Sequence, residues 1–146
     1  MQIRRLGTED ASIATTVIET MKPHGASDMT QTSVSRFLGS DDRYQGTALD
    51  DHDLPVGFLL AYELVRAERA SPMMLLYEIE ISEPWRRKGV ATTMVNLLKG
   101  LCADRDVCKM WVETTKSNIA ARDLYLSTGA DLTNDEGCLS FTYNLE

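Results

Sequence analysis

Residues 76–91 read LYEIEISEPWRRKGVA, and the fold turns on them. Met73–Ser82 has the composition of a strand, with β-formers densest over Leu75–Ile81. It runs into a turn carrying Arg86, Arg87, Lys88 and Gly89. Gly89–Asp104 follows with apolar residues at Val90, Met94, Leu97, Leu98 and Leu101, the stripe of an amphipathic helix. A strand that passes through a basic, glycine-ended turn straight into a helix makes an anion cradle. The first N–H groups of the helix lack partners, and its dipole favours negative charge. Gly89 allows close approach of the backbone, while Arg86, Arg87 and Lys88 add charge-assisted hydrogen bonds. A solvated basic turn is the alternative that this segment alone leaves open.

On the N-terminal side, Gln2–Leu6 is a short strand, and Thr8 is placed to cap a helix over Glu9–Met21 with Ile13, Val17 and Met21 on one face. A polar loop with Pro23 and Gly25 leads to a short helix over Ser33–Leu38, stopped by Gly39. Tyr44–Leu49 is a weak strand and Val56–Val65 a long apolar one. On the C-terminal side, Lys109–Thr114 is a strand, and Ser117 is placed to cap a helix over Asn118–Ser127 that stops at Gly129. Leu139–Leu145 alternates as a final strand. The expected architecture is mixed α/β (α+β): a mostly antiparallel sheet, then strand–helix–strand units, in one domain over residues 1–146.

Composition limits the partners. The 146 residues are 43% hydrophobic and 25% charged, a globular balance, and carry no apolar run of membrane-spanning length. MQIRRLGTED lacks the apolar segment of a secretory signal. Lys and Arg number 15 against 22 Asp and Glu, a net charge of −7, which repels nucleic acid and attracts small cations. Cys102, Cys108 and Cys138 form no C-x-x-C pair, and His24 and His52 lack zinc-ligand spacing. The expectation is therefore reduced thiols in the cytoplasm and no metal.

The second motif lies downstream. Asn118, Ala121, Leu124, Tyr125 and Gly129 stand as N-x-x-A-x-x-L-Y-x-x-x-G. With R-x-x-G-x-A at 86–91 after a strand, the pair resembles the GNAT superfamily of N-acetyltransferases. The resemblance implies two central strands that splay apart, here Met73–Ser82 and Lys109–Thr114, flanked by about four helices. It also implies acetyl-CoA as co-substrate. Backbone atoms around Ile79 and Ile81 would hold the pantetheine. Arg86, Arg87, Lys88, Gly89, Val90, Ala91 and Thr92 would hold the pyrophosphate, with Asn118 and Ala121 touching the cofactor from the next helix. Tyr125 would protonate the departing thiolate.

Residues 56–65 (VGFLLAYELV) and the stretch through Lys99 further resemble aminoglycoside 3-N-acetyltransferases of the gentamicin-resistance type. That likeness runs from about Val56 to Leu145 and makes a polycationic aminoglycoside the expected acceptor, at its 3-amino group. Glu78 stands where that family carries an acid thought to meet the substrate amine. Strict alternation puts Glu78 and Glu80 on one face, opposite Tyr77, Ile79 and Ile81. Tyr77, Glu78, Glu80 and Glu113 are the candidate acceptor contacts, and Glu78 the candidate base. Three features depart from the family pattern: Lys88 replaces a glutamine, Glu80 a small residue, and TTKSN follows Glu113 where the family is acidic. A polyamine or protein amine as acceptor, or an acyl-CoA-binding module without catalysis, remains an alternative. Homodimerisation through the final strand is possible in such a fold.

Overall fold

A computed structural model of the chain describes residues 1–24, 26 and 28–133. The order of elements follows the sequence reading, with shifted ends. Strands β1 (Gln2–Arg5), β2 (Arg43–Leu49), β3 (Pro55–Leu64), β4 (Met73–Ile81) and β5 (Lys109–Trp111) form one sheet in that order. The first four pair antiparallel, whereas β5 lies parallel to β4. Helices α1 (Ala11–Met21) and α2 (Gln31–Leu38) precede β2, α3 (Val90–Asp104) joins β4 to β5, and α4 (Ile119–Ser127) follows. The expected strand at Leu139–Leu145 and the third cysteine, Cys138, lie outside the described residues.

Two apolar cores divide the helices between them. Ala14, Val34 and Leu38 bury one face of α1 and α2 together with Leu6. Val90, Met94, Val95, Leu98 and Cys102 of α3 meet Leu59, Ala61, Met74 and Leu76 of the sheet, and Leu124 and Tyr125 of α4 pack against the same cluster. The strand expected to be weak is among the best buried: six of the seven residues of β2 are inside, because β2 is paired on both edges. Arg105, at the end of α3, and the Tyr44 hydroxyl both donate to the buried Glu63 carboxylate on β3, tying that helix end to the sheet.

The helix starts differ from expectation in instructive ways. The chain enters α1 through a 3-10 turn over Thr8–Asp10, and Thr8 does not cap it. Instead Asp10 accepts from the Gly7 N–H at 2.8 Å and from both terminal nitrogens of Arg4 at 2.8 and 2.7 Å. Helix α2, expected from Ser33, starts at Gln31, with Thr30 as its cap in a reciprocal box with Ser33. At α4 the cap is Asn118, whose side chain takes the Ala121 N–H at 3.1 Å; Ser117 faces Thr115.

One departure matters for function. Leu60 of β3 faces Glu78, and Ala61 faces Leu76, so Tyr77 is an extra residue with no partner. This β-bulge breaks the alternation that the sequence implies. Leu76, Ile79 and Ile81 still face the α3 core. Tyr77, however, stacks edge-on against Tyr62 at 5.5 Å, beside Glu78 and on the side of α1 and α2. The expectation that Tyr77 shares a face with Ile79 and Ile81 is therefore corrected: it joins Glu78.

Candidate active site

Strands β4 and β5 are zipped only at their start, through Met73 with Lys109, Met74 with Met110 and Leu75 with Trp111. Beyond Leu75, β4 continues to Ile81 while the ladder ends. The expected strand at Lys109–Thr114 thus stops three residues early: Val112, Glu113 and Thr114 diverge from β4, and a strand without its partner loses its ladder bonds. Between the two chains lies a wedge-shaped cleft of about 880 Å³. One wall is Tyr77–Ile81, the other Val112–Thr114 and α4, and the start of α3 closes the wide end.

At that wide end Gly89 caps α3 with φ +81°, a left-handed conformation that favours glycine. No side chain caps the helix, so the N–H groups of Val90, Ala91 and Thr92 are left for an external acceptor. A Cβ on Gly89 would meet nothing within 4 Å, so open space lies before the backbone. Arg87 also adopts positive φ, +63°, and faces the cleft. Arg86 lines it too, but its Nε donates to the Ile81 carbonyl at 2.9 Å, pinning the turn to the end of β4. Lys88 turns aside, its ammonium 5.2 Å from the Trp85 ring centre, and is not among the cleft residues.

The inner end holds the titratable groups. Tyr125, from α4, is half-buried against the core and lines the cleft. Its hydroxyl makes no hydrogen bond among the described residues, and burial pushes the phenol above its ordinary range, so it keeps its proton. On the opposite wall Glu78, about a quarter exposed, is bonded at 2.6 Å by the Lys22 ammonium. Glu80 and Glu113 also line the cleft, as do Asn118 and Ala121. Of the sequence candidates, only Lys88 falls outside it.

Several lining residues were not among those singled out from the sequence. Trp85, Val112 and Leu124 supply apolar wall and Asp123 a carboxylate. Trp85 immediately precedes the expected cradle, and Val112 belongs to the predicted splayed strand, so proximity in sequence pointed to both. Asp123 had no signal, because an acid on an exposed helix face is usually only solvated. Lys22 was unforeseeable, since its partner lies far along the chain.

The residues present fit a long anionic thioester ligand. An unpaired strand edge, an uncapped helix start with a left-handed glycine, and a protonated phenol surround one cleft. Residues 13–130 match the Acetyltransferase (GNAT) family model. The chain belongs to that family. GNAT members use acetyl-CoA, and the splayed sheet, four helices and basic turn follow the family plan. Among solved structures, an aminoglycoside acetyltransferase from an uncultured soil metagenomic sample superposes at TM-score 0.86 and 23% identity, covering 99% of this chain and 98% of that one. A second such enzyme of the same kind of origin, in complex with sisomicin, gives 0.83 at 18%, with 99% and 96% coverage. The enzyme AAC(6')-Iy, in complex with the bisubstrate analogue CoA-S-monomethyl-acetylneamine, gives 0.79 at 18%, with 98% and 97% coverage. At these identities the likeness is one of fold. No curated protein sequence matches.

Proposed function

We propose that this GNAT acetyltransferase transfers the acetyl group of acetyl-CoA to an amino group of an aminoglycoside, its 3-amino group in particular, and so confers resistance. The single observation that carries the reading is the two-walled cleft, with Glu78 on one wall and Tyr125 on the other. The fold relatives named above, one with sisomicin and one with a neamine-based analogue, support the acceptor class. So does the net charge of −7, which attracts a polycation.

Acetyl-CoA supplies an activated acetyl thioester. For its pyrophosphate the chain offers the N–H groups of Val90, Ala91 and Thr92, with Gly89 permitting close approach and Arg86 and Arg87 adding charge. For its amide-bearing arm the chain offers the unpaired edge of β4 around Ile79 and Ile81. Asn118 and Ala121 contribute from the far wall. Free backbone N–H groups on that β4 edge polarise the carbonyl.

Glu78 attracts the acceptor ammonium and takes its proton, directly or through water, freeing the nitrogen lone pair. The nitrogen bonds to the carbonyl carbon, the carbon–sulfur bond breaks, Tyr125 gives its phenolic proton to the thiolate, and the second proton of the acylated nitrogen passes through water to restore the phenol. Transfer is direct, so Cys102 and Cys108 need play no part. Tyr77, Glu80 and Glu113 bind the acceptor. The deciding experiment measures CoA release with aminoglycosides, polyamines and peptide amines, followed by spectroscopic assignment of the acetylated nitrogen. Release with gentamicin and acetylation at N3 is expected. Turnover confined to polyamines or peptides, or acetyl-CoA binding without any turnover, defeats the proposal.

A further inference from the structure

An amine already touches Glu78. Lys22 is the last residue of the α1 turn, its N–H bonded to the Ile18 carbonyl at 2.8 Å and its successor Pro23, so its backbone is held. Its stem reaches across Phe58, the ammonium 6.0 Å from that ring centre, to Glu78 at 2.6 Å. The Ser82 hydroxyl lies 3.5 Å from the Met21 sulfur, which seats this end of α1 over the end of β4. Both partners keep partial exposure, 32% for Lys22 and 24% for Glu78, so the pair contributes little to the fold.

We infer that Lys22 is a built-in competitor that holds the acceptor-amine position on Glu78 and sets a binding threshold that acceptors with several positive charges clear. The inference rests on the acetyltransfer reading above. Any acceptor nitrogen that uses Glu78 must displace an ammonium of the same charge and hydrogen-bonding capacity. A monoamine gains one ion pair and breaks one. A polyamine gains more, because Glu80 lies two residues along the same strand face and has no ion-pair partner among the described residues. In β geometry that places the two carboxylates about 7 Å apart. The aromatic chain Phe37–Tyr62–Tyr77, joined edge-to-face at 5.7 and 5.5 Å, walls this side and leaves Tyr77 exposed toward the acceptor. Lys22 acts through Glu78 and is a positioning residue, not a catalytic one.

The test compares wild type with Lys22→Met, Lys22→Gln and Lys22→Arg, using gentamicin and the monoamine glucosamine. In the Met and Gln variants KM for gentamicin falls roughly three- to fivefold, the worth of a partly exposed ion pair. KM for glucosamine falls by a similar factor, since the same pair is broken, and the change sits in KM, not in kcat. Lys22→Arg keeps the wild-type KM values. In a Glu78→Gln background, Lys22→Met produces no further fall. A gentamicin KM that stays level or rises in both neutral variants overturns the competitor role while leaving the acetyltransfer reading intact. Wild-type enzyme that releases no CoA with gentamicin overturns both.

Discussion

Two single residues on opposite ends of the cleft have separable tasks. Tyr125 keeps its proton because burial disfavours the phenolate. As pH rises, the neutral acid therefore persists beyond the range of an ordinary tyrosine, and the loss of kcat on the alkaline side should fall above pH 10. Tyr125→Phe should lower kcat about 10²- to 10⁴-fold, the usual worth of a positioned acid, with little change in the KM for acetyl-CoA. Steady-state kinetics from pH 6 to beyond pH 10 checks both statements. Gly89, in the proposed function, serves binding. An alanine there meets open space but must adopt φ +81°, costing about 1 kcal/mol of stability. Its methyl also projects where the backbone is meant to approach a phosphate. Gly89→Ala should therefore raise the KM for acetyl-CoA by more than its small loss of Tm accounts for, read by kinetics alongside thermal unfolding.

At the level of elements, the entry to α1 depends on an ion pair. Arg4 and the Gly7 N–H hold the Asp10 carboxyl down to about 2, below its ordinary 3.8. A carboxylate depressed on folding stabilises the native state above the unfolded value and loses that contribution as pH falls through the folded one. Acid unfolding should show this loss between about pH 4 and pH 2, and Asp10→Asn should remove the step while lowering stability at pH 7 by about 1–3 kcal/mol. Denaturant titrations at stepped pH measure it. Asp10 also shows where the sequence was legible and where it was not. Helix α3, the strand before it and the turn at Gly89 could be read because periodicity, glycine and charge are local signals. The Asp10 contacts with Gly7 and Arg4 were masked by Thr8, a good capping residue two positions away. The Tyr77 bulge was invisible because it is fixed by pairing with β3, which no local pattern encodes. For the same reason the places of Glu78 and Tyr125 on the cleft could be read by motif, whereas the Lys22 contact arises only when α1 is laid over β4.

For the whole molecule, charge sets the approach of the acceptor. A surface of −7 attracts polycations over distances that salt screens, so kcat/KM for a tetracationic aminoglycoside should drop severalfold between 50 and 500 mM NaCl. The same series with a monocationic amine should change less, and equal salt responses would contradict steering. Geometry then sets what can react. The ladder between β4 and β5 closes at Leu75 and Trp111, and the open edge beyond it rises about 20 Å to Ile81 at about 3.3 Å per residue. That closure behaves as the stop on a gauge. A ligand anchored at the turn reaches a fixed depth, and each carbon added to its acyl tail has to find room beside paired backbone that does not yield. Acyl length, more than acyl chemistry, is what this hinge point would measure.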